Sequence, residues 1–236
     1  MGTLPIGFLL VGAVIYASMK GSSWALYFNM HAILIVVGGS VAVLIMSSPA
    51  LALKNLGTVF LNLFKPSISV DSYRREFQEL MQNKVLSTPS KNALINYASE
   101  LWEQGLDPEL TIILLSQKRE ELERGYIEAV QVLRNLAKYP PALGMTGTVM
   151  GLVSLFSVLG ADNKSALGPA LALAMTATFF GLILANCVVT PLADHMHVKH
   201  MQDEKVYTGI YQILILINRD EPQALVGDEV DLRAAS

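Results

Sequence analysis

Four stretches without a single Asp, Glu, Lys or Arg constrain this chain more than anything else in it: residues 1–19, 21–53, 139–161 and 165–193. A hydrocarbon core of about 30 Å asks for a helix of about 20 apolar residues, because charges and unpaired backbone amides are costly there. The stretches therefore predict four membrane-spanning helices, near residues 4–19, 31–48, 141–159 and 168–190. A hydrophobic fraction of 52% against 16% charged, with mean hydropathy +0.43, agrees with a bilayer as the solvent. The first stretch has no basic residues ahead of it and no small-x-small cleavage site before polar sequence, so it reads as a retained span, not a signal peptide.

Of the 17 basic residues, only Lys20 and Lys164 fall in the two short connections, while 15 lie between residues 49 and 140 or after Pro191. The preference of Lys and Arg for cytoplasmic loops then puts segment 49–140 and both termini in the cytoplasm. The expected fold class is an all-α membrane protein, with a helical cytoplasmic domain between spans two and three and a cytoplasmic helix at the C-terminus. It divides into 1–48 (two spans), 49–140 (cytoplasmic domain), 141–192 (two spans) and 193–236 (helix and tail).

Apolar periodicity predicts cytoplasmic helices over Tyr73 to Gln82, Asn92 to Glu103 and Pro108 to Ala137, with Pro66, Pro89 and Gly105 as punctuation. Lys118, Arg119, Glu120, Glu121, Glu123 and Arg124 mix both signs of charge, with Glu120 and Arg124 at i,i+4 spacing, as on a solvated helix surface. A polar helix from Asp194 to Tyr207 leads to the run Ile213 to Ile217, too short to cross a membrane and therefore expected to pack on the cytoplasmic helices. The tail from Asn218 to Ser236, with five acids and two arginines, reads as mobile.

Several function classes drop out. A net charge of -3 gives no basic surplus for phosphate neutralisation, which argues against nucleic-acid binding. Cys187 has no partner for a disulfide and reads as packing. The chain contains no HExxH, P-loop or GxSxG, so no enzyme, catalytic residue or cofactor is expected. Asp194, His195, His197 and His200 do not supply a complete ligand set by their own spacing, so no metal site is expected there.

Membrane proteins that move ions unaided keep an ionisable side chain in the bilayer, at a cost of about 2.5–3.5 kcal/mol by insertion scales. These spans carry none, and His31 sits at the outer edge of the second, where an interfacial role suffices. Spans three and four offer hydroxyls instead: Thr146, Thr148, Thr176 and Thr178 either supply oxygen to an ion or bond their own i-4 carbonyls. Gly144, Gly147 and Gly151, with Ala170, Ala174, Gly181 and Ala185, form small-residue stripes suited to close helix approach. Pro141 and Pro191 mark the cytoplasmic edges of these spans, as helix boundaries or as a hinge.

PALGMTGTVMGLV (141–153) and LALAMTATFFGLILANCVVTPLAD (171–194) resemble the signature of the MotA/PomA stator subunits of bacterial flagellar motors, within the MotA/TolQ/ExbB superfamily. VVGGSVAVLIMSSP (36–49) and GLDPEL (105–110) are similar to other stretches of that family. The resemblance implies a homopentamer in the bacterial inner membrane around a dimer of single-span MotB/PomB-like subunits, whose helices carry the ion-binding aspartate. Flow of Na+ or H+ would turn the pentamer, and the cytoplasmic domain would pass torque to a rotor switch protein. Spans three and four become the ion-path layer, and spans one and two the lipid-facing outer layer. Thr148 and Thr178 match positions lining the ion path in sodium-driven members, and proton-driven members often carry alanine where Thr148 stands, which favours Na+. Pro141 and Pro191 match prolines tied to coupling of ion binding to motion. TolQ and ExbB relatives have three spans, so four favour the flagellar branch, while related five-to-two motors drive gliding, envelope energisation or phage defence. The chain departs from the family before GLDPEL, where a shortened region carries only Arg74, Arg75, Glu76 and then Lys84 in place of the family's charged stretch, and these are the candidate rotor-facing residues.

Overall fold

The computed structural model describes residues 3–21, 27–63, 69–159 and 167–219, and every regular element among them is helical. In chain order the helices are α1 (Thr3–Ser18), α2 (Met30–Ser47), α3 (Ala50–Leu63), α4 (Arg74–Asn83), α5 (Ala93–Glu103), α6 (Pro108–Leu136), α7 (Tyr139–Leu159), α8 (Leu167–Ile183) and α9 (Thr190–Asn218). Leu34–Gly38 within α2 is wound as a wider π-helix, and a second π segment, Leu184–Val189, joins α8 to α9 without a break. The chain forms two compact units, Met1–Phe64 with Glu128–His197, and Lys65–Ile127 with Val198–Ser236.

The first unit holds the apolar helices. Three helical runs are long and apolar enough to cross a membrane: Met30–Ser47, a window within Pro108–Leu159 and another within Leu167–Asn218. The apolar part of α1, Leu4–Ser18, is shorter. Asn29 starts α2, its side-chain oxygen accepting from the amides of His31 (3.0 Å) and Ala32 (3.2 Å). Large apolar side chains such as Leu9, Met46, Phe156 and Met175 point outward, the inverse of a water-soluble protein. Helix α3 falls where the sequence reading placed no element. Ala52 and Val59 are buried on one side of it, while Leu51 and Leu61 stay exposed.

The second unit gathers its large apolar side chains inside. Phe77, Leu80, Leu94, Ile95, Leu101, Leu115, Ile210, Leu214 and Ile217 share one core, each large aliphatic contributing about 1.5–3 kcal/mol on full burial. The predicted cytoplasmic helices correspond to α4, α5 and α6 within one or two residues at each end. Asn92 caps α5, accepting from Leu94 (2.9 Å) and Ile95 (3.4 Å), while Asp107 accepts from Glu109 (2.9 Å) ahead of α6. Gly105 closes α5 at φ +67, a conformation that costs glycine least. The run Ile213 to Ile217 lies in α9 and gives Ile213, Leu214 and Ile217 to the core.

The end of α9 is tied down by side chains from other elements. Lys84, itself left-handed at the end of α4, donates its ammonium to the Ile217 carbonyl (2.5 Å), satisfying one of the carbonyls a helix end leaves open. The Trp102 indole donates to Asn218 Oδ1 (2.8 Å), and the Asn218 amide donates to the Pro108 carbonyl (2.9 Å). The acidic tail beyond Arg219, Pro66 and the Lys164 connection lie outside the described residues.

Candidate functional site

Glycine lets α7 and α8 meet backbone to backbone. A Cβ added to Gly181 would stand 2.5 Å from the Pro140 carbonyl oxygen, and one on Gly151 would stand 2.7 Å from the Ala174 nitrogen. At Gly144 the nearest atom would be the Ala177 carbonyl oxygen at 2.9 Å, and at Gly147 the Ala177 Cβ at 2.4 Å. Ala170, Ala174 and Ala185 are buried, the first two forming the wall against Gly151. Without large side chains between them, backbone carbonyls of each helix come within reach of the other's hydroxyls.

Thr148 and Thr178 exploit that approach. Their hydroxyl oxygens lie 2.5 Å apart, across the helix interface. Thr148 Oγ1 also stands 3.1 Å from the Gly144 carbonyl oxygen and 3.0 Å from that of Ala174, and Thr178 Oγ1 stands 3.4 Å from the former. Two hydroxyls own two hydrogens between them, while three kinds of oxygen contact compete for these. The result is a half-buried cluster of four oxygens between two apolar helices, the donor chemistry that a hard monovalent cation or a hydronium takes.

The other two threonines stay with their own helices. Thr146 is exposed and donates to the Ala142 carbonyl (3.1 Å), whereas Thr176 is buried and donates to Ala172 (2.6 Å). The structure therefore brings Thr148 and Thr178 together and leaves Thr146 and Thr176 as i-4 back-bonders.

Prolines stand at one end of this antiparallel pair, where α7 begins and α8 runs on into α9. Pro140 is buried in the first turn of α7, its carbonyl against Gly181, and Pro141 next to it is half-buried. Pro191 is exposed in the first turn of α9, directly after the π segment. Proline has no N–H and its ring collides with the carbonyl four residues back, so the wider turns before it relieve a clash that a regular helix would carry.

In the second unit, Arg74, Arg75 and Glu76 occupy the first turn of α4, while Lys84 follows its last. The helix keeps the two groups about 15 Å apart at 1.5 Å per residue. Arg75 is exposed; Glu76 is half-buried, its Oε2 without a hydrogen-bond partner among the described residues, and Lys84 is held at Ile217 and over the Trp102 ring (5.6 Å). In the mixed-charge cluster, Lys118 pairs with Glu121 (2.8 Å), and Arg119 sits over the Tyr211 ring (5.2 Å).

The histidines separate. Asp194 lies 3.7 Å from the Arg134 guanidinium and is exposed, while His200 is buried and stacks on Tyr126 with ring centroids 4.6 Å apart. A ring nitrogen of His200 falls in one group with carboxylate oxygens of Glu123 and Glu204, all three within 4.8 Å of one another. Sequence reading confined to the histidine run missed this group, although His200 and Glu204 stand at i,i+4; only Glu123, from a distant helix, needed the fold. Burial pushes Tyr126 up to about 12, with the Asp203 charge adding to it. Burial also raises Asp203 above the usual carboxylate range, against the opposing charges of Lys199 and His200.

Known proteins of similar sequence include "Motility protein A" of Borreliella burgdorferi, 28% identical over 84% of this chain and 80% of the relative. "Chemotaxis protein PomA" of Vibrio alginolyticus is 28% identical over 80% of this chain and 78% of its own length. Among solved structures, the flagellar MotAB stator complex from Bacillus subtilis contains a chain of the same fold, with TM-score 0.78 and 21% identity over 98% of this chain and 95% of that one. The model of the MotA/TolQ/ExbB proton channel family matches residues 75–207, more than half of the 236, and the chain is a member of that family.

Proposed function

We propose that this chain is the A subunit of an ion-driven rotary motor, which completes its ion path only with a single-span partner. The observation that carries the reading is the Thr148–Thr178 oxygen cluster between helices that contain no carboxylate. Oxygen ligands without a counter-charge make half a site, and the partner's helix supplies the acid. The names of the relatives and of the fold neighbour, which concern motility proteins and a stator complex, support the same assignment.

In this reading four helices cross the inner membrane with both termini in the cytoplasm, α1 and α2 facing lipid and α7 and α8 lining the path. Five copies surround a dimer of the partner. Each ion releases about 2.3 kcal/mol per 100 mV of membrane potential. Na+ is the favoured ion, because Thr148 adds a hydroxyl where alanine would offer none. Pro141 and Pro191 flex as the ion binds, and the cytoplasmic domain, with Arg74, Arg75, Glu76 and Lys84, passes the motion to a rotor switch protein. The chain needs no catalytic residue and no cofactor for this work.

The test is co-expression with a MotB-like partner, purification, and ion flux in liposomes. The expected result is a five-to-two complex that conducts Na+ or H+, with flux lost in the Thr148→Ala/Thr178→Ala double variant. Equal flux through the isolated chain would overturn the shared path. A complex that conducts without driving swimming would move the assignment to a related motor.

A further inference from the structure

Helices α6 and α9 bring one imidazole and two carboxylates to a common point within the second unit. His200 and Glu204 are one turn apart on α9, and Glu123 faces them from α6, with ligand atoms all within 4.8 Å of one another. Tetrahedral ligands on bonds of about 2.1 Å stand roughly 3.4 Å apart, so side-chain movement of about an ångström closes the set. From these three residues we infer a binding site for a first-row divalent cation, with an open fourth position for water.

Three further observations fit an ion at this point. Neither Glu123 nor Glu204 has a hydrogen-bond or ion-pair partner among the described residues, although their like charges converge. Two carboxylates and a neutral imidazole carry two negative charges, which a divalent ion cancels. The His200 ring is buried and held flat against Tyr126, so its plane is set before any ion arrives, while exposed Glu204 leaves a way in from solvent. Beside them, the Tyr126 hydroxyl and Asp203 Oδ1 are buried without hydrogen-bond partners among the described residues, so oxygens for an outer shell are at hand.

The donor set chooses the ion. An imidazole ligand favours zinc, iron, cobalt or nickel over Mg2+ and Ca2+, which take oxygen. Such an ion would clamp α6 to α9 across the cytoplasmic domain, making the domain's rigidity responsive to metal supply.

The experiment uses the full chain in lipid nanodiscs, stripped with a chelator and titrated with Zn2+ in competition with a chromophoric chelator. One Zn2+ per chain is expected, not displaced by an equal concentration of Mg2+, with an X-ray absorption spectrum of one imidazole and oxygen neighbours. Glu123→Gln and His200→Gln should each weaken binding at least 100-fold, and Glu123→His should restore it. Circular dichroism of the variants, matched to the parent, separates loss of a ligand from loss of the fold. The double variant His195→Gln/His197→Gln should bind as the parent does. The site is overturned if the parent takes up no Zn2+, if Glu123→Gln binds with unchanged affinity, or if His195 and His197 prove necessary.

Discussion

The two units of this protein solve the packing problem in opposite ways. In the second, large side chains such as Leu80, Leu94, Ile95, Ile210 and Leu214 are fully buried. In the first, glycine and alanine fill the α7–α8 interface, while Met46, Phe156 and Met175 stand outside. Water drives large apolar side chains together, but lipid tails are as apolar as leucine and give no such push. What remains to hold apolar helices together is close contact, which only small residues permit. The contrast thus reports the solvent on each unit more directly than hydropathy does.

Deleting a large side chain should hurt the second unit most. Leu94→Ala is expected to cost about 2–5 kcal/mol, read by unfolding followed through Trp102 fluorescence. Met46→Ala, the same kind of deletion on an 86% exposed residue, should change stability by less than about 0.5 kcal/mol. Comparable losses at both positions would break the comparison.

Within the first unit, adding a methyl group should separate the α7–α8 contact from an open helix surface. Gly181→Ala places a Cβ 2.5 Å from a backbone oxygen and should cost about 1–3 kcal/mol, visible as a lowered Tm in detergent. Gly57→Ala in α3, where nothing lies within 4 Å, should be neutral or stabilising.

Helix caps matter in the unit that water can enter. Asn92→Ala removes the acceptor for two amides at the start of α5 and should cost about 1 kcal/mol by the same fluorescence measurement. The smallest effect is one of pH. Glu79 is held below its ordinary value of 4.5 by the hydroxyl and then the amide of Ser87. A carboxylate with a depressed folded value stabilises the fold above its ordinary value and loses this as pH falls through the folded one. Ser87→Ala should therefore lower the unfolding midpoint slightly at neutral pH, and the difference should vanish in acid.

Much of this was legible in the sequence because it rests on periodicity and on charge. The gaps between charged residues located the apolar helices, and Asn92, Gly105 and Pro108 marked boundaries through local backbone chemistry that needs no tertiary partner. Helix α3 escaped because Lys54 ends the uncharged stretch within it, and the apolar residues beyond Lys54 are too few for a span. The Thr148–Thr178 pair was legible only as two hydroxyls of suitable type. Which of four threonines meet depends on the axial offset of α7 against α8, a quantity set by how deeply Gly144 and Gly151 let the helices sink. Lys84 shows the same limit: its charge suggested a surface role, and its bond to Ile217 depends on where α9 stops.

The glycine contact also restricts how the first unit can move. Helices separated by leucines or methionines can slide, since long side chains change rotamer and act as a lubricating layer. At Gly181 and Gly151 there is no such layer, and a shift of half an ångström drives one backbone into another. Helices α7 and α8 therefore travel as a single wedge, and displacement within this pair is forced outward to its ends. Pro140 and Pro141, where α7 begins, and Pro191, beyond the end of α8, stand together at one of those ends, the one where Gly181 meets the Pro140 carbonyl.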